Sequence, residues 1–270
     1  MSSKGKFDIS VINASTVLSD DQIRPVVAAL QKQVSQHFAP AWGTDARLTF
    51  VPKGHQPAPK SWWLAILDNS DQAGALGYHD LTNEGLPLGK VFAGSDVAYG
   101  YQWSVTASHE LLEMLADPDI NLTVFVQSDA TRGLIYMHEV CDACEADELG
   151  YRIDGVLVSD FVYPAWFESF WSVGAAQFDQ QKKIDKPFDL LPGGYIGVFD
   201  VRAGTGWQQL TADVPVDVAN AGAVVDALRR PATYRYDMRP RIGSRRERRR
   251  TPRDRWLRSN VRVPAGVAGG

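Results

Sequence analysis

Residues 7–13, Phe-Asp-Ile-Ser-Val-Ile-Asn, form a short β-branched run that ends in a polar residue, the pattern of a strand. The period then changes. Ile23, Val27, Leu30, Val34 and Phe38 recur on one helical face, and Ser19 with Gln22 has the spacing of a capping box, flanked by Leu18 and Ile23 as a hydrophobic staple. Only Pro25, in the second turn, is at odds with this helix. Beyond the Pro40/Gly43 break, residues 47–51 predict a second strand, and 62–67 a third that is apolar enough to be covered on both faces. Two further strands are expected at 75–81 and 90–93, separated by the turn-rich 83–87. Ser104 stands where it can cap a second strong helix. That helix runs to Ala116 and is stopped by Asp117-Pro118, since the residue before a proline is pushed out of the α region.

Downstream, short strands are expected at 134–140 and 151–159, then a helix starting near Pro164, whose ring suits a first turn. Gly193-Gly194 opens a hairpin of 195–201 and 206–211, and with no lysine or helix signature after it, it reads as a turn and not a phosphate cradle. The order β-α-β-β-β-β-α, followed by a smaller mixed part, predicts an α/β (α+β) chain. We read 1–228 as one globular body, with an N-terminal part 7–119 and a C-terminal part 120–228.

Composition adds a division that periodicity does not show. The 270 residues are 44% hydrophobic and 22% charged, with a net charge of −4, and no apolar run approaches the roughly 18 residues of a membrane span. Integral membrane, collagenous and wholly disordered classes are excluded. No secretory signal is visible at the start, so the expected location is cytoplasmic, with no membrane partner. The charge, however, is uneven: 229–270 holds 14 arginines and three acids, a balance of +11, against −15 for the remainder. With four prolines and little clustered apolar surface, this tail is expected to be disordered. Its arginines suit an anionic partner, either nucleic acid or an acidic protein surface such as the chain's own body.

The strongest chemistry lies on the second helix. At 100° per residue, Thr106, His109, Glu110, Glu113 and Asp117 fall within about a 100° sector, and apolar residues fill the rest. A helix so widely apolar should be buried, with its polar stripe opening on solvent or a cleft. His109 and Glu113, at i and i+4, then offer an imidazole and a carboxylate side by side, the spacing of two metal ligands on one turn. Glu110 beside them is suited to act as general base on water activated by the metal.

This H-E-x-x-E at 109–113 resembles the active-site helix of zincin metallopeptidases, whose usual motif is H-E-x-x-H. A β-α-β-β-β arrangement precedes that helix in zincins, and 7–119 agrees with it. The resemblance implies a mixed twisted sheet whose edge strand, here 75–81, borders the substrate cleft, and hydrolysis of a peptide or protein. In the metzincin branch the third ligand falls in register on Asp119, with Ala116 where that pattern has glycine. In gluzincins it is a downstream glutamate, for which Glu139 or Asp142 is the analogue. Zn²⁺ is the metal this implies; Glu113 in place of histidine also admits Mn²⁺ or Ca²⁺, because anionic oxygen suits those ions.

Both cysteines lie in a second cluster, at 137–148, among Glu139, Asp142, Glu145, Asp147 and Glu148. A C-x-x-C pair can be redox active or half of a zinc site, but the second pair of a four-thiolate site is missing, and so many carboxylates would blunt a thiolate. Glu139, Asp142 and Glu145, three apart, can converge, and one of them can supply the third ligand. The plainer reading is an acidic loop with the thiols packed as small hydrophobes. His79 on the edge strand is either a substrate contact or a structural histidine. Trp62, Trp63, Trp166 and Trp171 read as core or cleft-wall aromatics. Two functions follow from these residues. One is a metal-dependent, peptidase-like hydrolase. The other is a non-catalytic module on the same scaffold, whose tail does the binding.

Overall fold

The computed structural model describes residues 6–212, apart from 73, 83, 130–131, 171–173, 175 and 204–205, together with the backbone of 234–237. Its first half is built on five strands: β1 (Phe7–Asn13), β2 (Ala46–Val51), β3 (Trp62–Leu67), β4 (Gly77–Leu81) and β5 (Pro87–Phe92). They lie in the order β2-β1-β3-β5-β4, and every pairing is parallel except that of the edge strand β4 with β5. Burial explains why the inner strands are continuously apolar. Ile9, Val11, Leu64, Ile66 and Val91 face the main core, and Ile12, Trp63, Ala65, Tyr78, Leu88 and Phe92 form a second cluster on the other face.

Helix α1 (Asp20–Lys32) starts at the expected capping box, with Ser19 and Gln22 reciprocally bonded. The expected apolar face, Ile23, Val27, Leu30, Val34 and Phe38, is buried. Past Lys32 the chain widens into a π-helical stretch, Gln33–Phe38, before α2 (Ala39–Trp42), which ends at left-handed Gly43. This bulge leaves Gln33 buried. It donates to the Ser159 carbonyl and accepts from the Ser108 hydroxyl, linking the helices to the second half of the chain.

After β5 comes a helix that the polar-apolar pattern did not reveal, α3 (Ala93–Tyr99), and then α4 (Trp103–Ala116). Gln102, not Ser104, is the N-cap of α4, and the Ser104 hydroxyl instead donates to the Leu157 carbonyl. Every residue of α4 from Ser104 to Leu115 is buried. Such a helix is the centre of the molecule, and it rests on β4 and β5.

The second half is a five-stranded antiparallel sheet in the order β12-β11-β10-β7-β6, formed by β6 (Thr123–Asp129), β7 (Arg132–Met137), β10 (Tyr195–Asp200), β11 (Trp207–Ala212) and β12 (Tyr234–Asp237). A small hairpin, β8 (Tyr151–Ile153) with β9 (Val156–Val158), completes the strands. The chain is thus α+β, as expected. Three local expectations need correction. β6 was not anticipated, the segment at Pro164 is a single 3₁₀ turn, and Tyr234–Asp237, within the stretch expected to be disordered, pairs with β11. The rest of 229–270, like Trp171, lies outside the described residues. No helix among the described residues is long and apolar enough to cross a membrane.

The two halves share one core, in which Leu111, Leu112 and Met114 of α4 meet Val140, Phe161, Trp166, Ile196 and Val198. Within the second half, Gly194 marks the tightest joint. A Cβ there would stand 2.3 Å from the Ala143 carbonyl oxygen, and both groups are backbone, so neither can swing aside. Gly194→Ala is therefore expected to destabilise the protein by about 1–3 kcal/mol, read from the urea midpoint at unchanged m-value.

Candidate metal centre

Helical spacing brings His109 and Glu113 together as the sequence predicts: His109 Nε2 lies 3.1 Å from Glu113 Oε1. The third member comes from far along the chain. Asp142 opens a 3₁₀ turn, Asp142–Cys144, and its Oδ1 lies 3.2 Å from the same His109 nitrogen. One oxygen of Glu145 joins this group, and the Cys141 sulfur lies within reach of His109 and Glu113. The turn is fixed by backbone bonds, Val162 N–H to the Val140 carbonyl and Leu191 N–H to that of Ala143. The Cys141 N–H also donates to Glu113 Oε1 at 3.2 Å, which holds the carboxylate in orientation.

The same polar stripe of α4 also faces the edge strand. Gly77 and His79, two residues apart, share one face of β4, and His79 pairs across the sheet with Gly89. The missing side chain of Gly77 matters: a Cβ there would fall 2.6 Å from Glu110 Oε1, whereas one on Gly89 would strike Leu64 Cδ1 at 2.7 Å and only touch Glu110 Cβ, at 3.6 Å. Glu110 thus occupies the space that Gly77 leaves. His79 Nδ1 is 3.7 Å from Glu110 Oε2 and 3.6 Å from Glu113 Oε2, and its Nε2 is 3.9 Å from Glu139 Oε2.

Of the residues expected to bind metal, His109, Glu113 and Asp142 converge directly, and Glu139 meets them through His79. Asp119 does not. It lies exposed on the turn after α4, where Asp117 accepts from the N–H groups of Asn121 and Leu122 and points the chain outward. The polar stripe of α4 also departs from expectation, for it opens on neither solvent nor a wide cleft: His109 and Glu110 are fully buried, and Glu113, Glu139, Asp142 and Glu145 are at most 8% exposed. His79 and Tyr195 are the members that the sequence did not assign to the centre. His79 lacked a visible neighbour in its own strand, and Tyr195, buried at the start of β10, reaches the acidic group only through the fold.

Burial dominates the electrostatics. It raises the Asp142 carboxyl well above the usual carboxylate range, with the Glu113 charge adding to the effect. It lowers His79 to about 3, aided by the charge of His109, so that this imidazole is neutral at physiological pH and its ring nitrogens can act as ligands. The Cys141 and Cys144 thiols are pushed up by burial first, then by Glu113 and Asp160 respectively. His138, between Trp42 and Phe167, is a wall residue whose pKa burial lowers.

A divalent cation fits this donor set. With bonds of about 2.1 Å, ligand atoms stand about 3.0 Å apart at the edge of an octahedron and about 3.4 Å at that of a tetrahedron. The separations around His109 lie in that interval. In comparisons with protein-family models, curated proteins and solved structures, no match to the chain was found.

The two buried thiols are expected to be inert in the native protein. Fewer than about 0.1 thiol per chain should react with dithionitrobenzoate within minutes at pH 8, and both in denaturant. Rapid reaction of either in the native state would contradict its placement.

Proposed function

We propose that the protein is a metal-dependent hydrolase of zincin-like design, acting on a peptide bond. The observation that carries this reading is the convergence of His109 Nε2, Glu113 Oε1 and Asp142 Oδ1 within 3.1–3.2 Å of the imidazole nitrogen. These three residues, with Glu145, would hold the ion, and Zn²⁺ or Mn²⁺ suits one imidazole with several carboxylates better than the all-oxygen preference of Ca²⁺. Bound there, a divalent cation polarises water and the carbonyl under attack.

The chain's own residues supply the rest. Glu110, one residue beyond His109 and packed against Gly77, is the general base, taking the proton of the attacking water. The strand β4 supports a peptide substrate. It is paired only on its β5 side among the described residues, and an extended peptide can add to such an edge by main-chain hydrogen bonds. The resemblance to zincins asks for this arrangement, an H-E-x-x-E helix beside an antiparallel edge strand. We assign the arginine-rich tail to an anionic partner, nucleic acid or an acidic protein, and the whole chain to the cytoplasm.

One observation favours a second reading, that of a non-catalytic module whose metal is structural: every ligand is buried, and structural metal sites are closed where catalytic ones keep an open position. Two experiments separate the readings. Glu110→Gln should lower hydrolysis of a peptide library by about 10²–10⁴-fold while metal stays at His109, which His109→Ala should lose. Turnover retained in Glu110→Gln removes the base assignment. Under the second reading neither protein hydrolyses any peptide, and chelation alone lowers the thermal midpoint. That shift should be at least about 4 °C if binding contributes more than about 2 kcal/mol to stability.

A further inference from the structure

Glu113 faces two ways. Its Oε1 stands against His109 and its Oε2 against His79. The two groups of donors, His109 with Asp142 and Glu145, and His79 with Glu110 and Glu113, each lie close enough to surround one ion. The second group is more than an acidic cluster, because an imidazole that is 1% exposed is aimed into it. Neither ring nitrogen of His79 has a hydrogen-bond partner, and each instead faces carboxylate oxygens at 3.6–3.9 Å. That gap is too long for a hydrogen bond and slightly wider than the ligand-to-ligand edge of a four-coordinate ion, about 3.4 Å.

We propose that the chain binds a second divalent transition-metal ion between His79 Nδ1, Glu110 Oε2 and Glu113 Oε2, so that the Glu113 carboxylate bridges two ions. The assignment rests on the metal centre proposed above and extends it to a pair. Glu139, 3.9 Å from His79 Nε2, is the acid that faces the ring N–H which ligation through Nδ1 leaves behind, on the side where a carboxylate can orient a metal-binding imidazole. Charge supports two ions over one. Glu110, Glu113, Glu139, Asp142 and Glu145 are buried together. If they are ionised and both imidazoles neutral, one divalent cation leaves −3 in the interior and two leave −1. A syn-syn carboxylate spans ions about 3.5–4 Å apart, the separation of co-catalytic pairs. Glu110 then serves as ligand through Oε2, while Oε1, against Gly77 of the edge strand, is left to accept a proton.

The test uses the full chain, purified without chelator or nickel affinity, stripped of metal and reloaded with Zn²⁺ or Mn²⁺. About two ions per chain are expected, falling to about one in His79→Ala and in His79→Gln. The Mn²⁺-loaded wild type should give the exchange-coupled electron paramagnetic resonance spectrum of a bridged pair, a readout that does not depend on how well any variant folds. His79→Ala should give the spectrum of isolated Mn²⁺. One ion per wild-type chain, lost in His109→Ala and kept in His79→Ala, would overturn the second site and leave the first intact. No bound ion in the wild type would overturn both.

Discussion

Five carboxyl groups and two imidazoles buried in one place are costly to a folded chain, and the architecture around α4 is arranged to meet that cost. An isolated carboxylate cannot be moved from water into an apolar interior without several kcal/mol of penalty, so buried acids must be paired, protonated or bound to a cation. Glu110, Glu113, Glu139, Asp142 and Glu145 have at most 8% of their surface left to water. The chain gives up packing to accommodate them. Gly77 surrenders a side chain to make room for Glu110, and Gly194 surrenders another so that the Asp142 turn can approach β10. A structure organised only for stability would fill those positions with apolar groups, which are often at least as favourable as buried charge.

The centre also spans the two halves that share one core. Its proposed ligands divide between them, with His79, His109, Glu110 and Glu113 from the first sheet and its helix, and Glu139, Asp142 and Glu145 from the turn that follows β7. Backbone hydrogen bonds to Val140 and Ala143 come from the segments around Val162 and Leu191, so the turn is held by residues well downstream of it. Ser108, one position before His109, is tied to Gln33 and to the Ser159 N–H. The π-helical bulge that points Gln33 inward is thus tied, through Ser108, to the residue next to His109 on α4.

Local chemistry made most of the fold legible in the sequence. Capping, period and proline placement are properties of neighbouring residues, which is why α1, α4 and the first five strands fall where periodicity predicts, within a few residues. α3 escaped because Ala93–Tyr99 is short and without an apolar face, and β6 because Thr123–Asp129 leaves several side chains exposed. In the centre, His109, Glu110 and Glu113 were readable for the same local reason, one helical turn. Asp142 was readable only as one of several downstream acids. Asp119 was placed by register with a family pattern, and the turn made by Asp117 carries it away. His79 needed the antiparallel register of β4 on β5, which no spacing within its own strand reveals.

The glutamate at 113, which first looks like a loss relative to H-E-x-x-H, acquires a reason once both of its oxygens are considered. A carboxylate carries two oxygens about 2.2 Å apart on one carbon, each able to take a separate ion. The two oxygens of Glu113 meet His109 and His79 at once, at 3.1 and 3.6 Å. A glutamate there adds negative charge to a site that already holds four other buried acids, a change that would raise the affinity of the proposed site for cations. Position 113 therefore joins the two groups of donors: a cation on the His109 side would alter the charge and orientation of the carboxylate that faces His79.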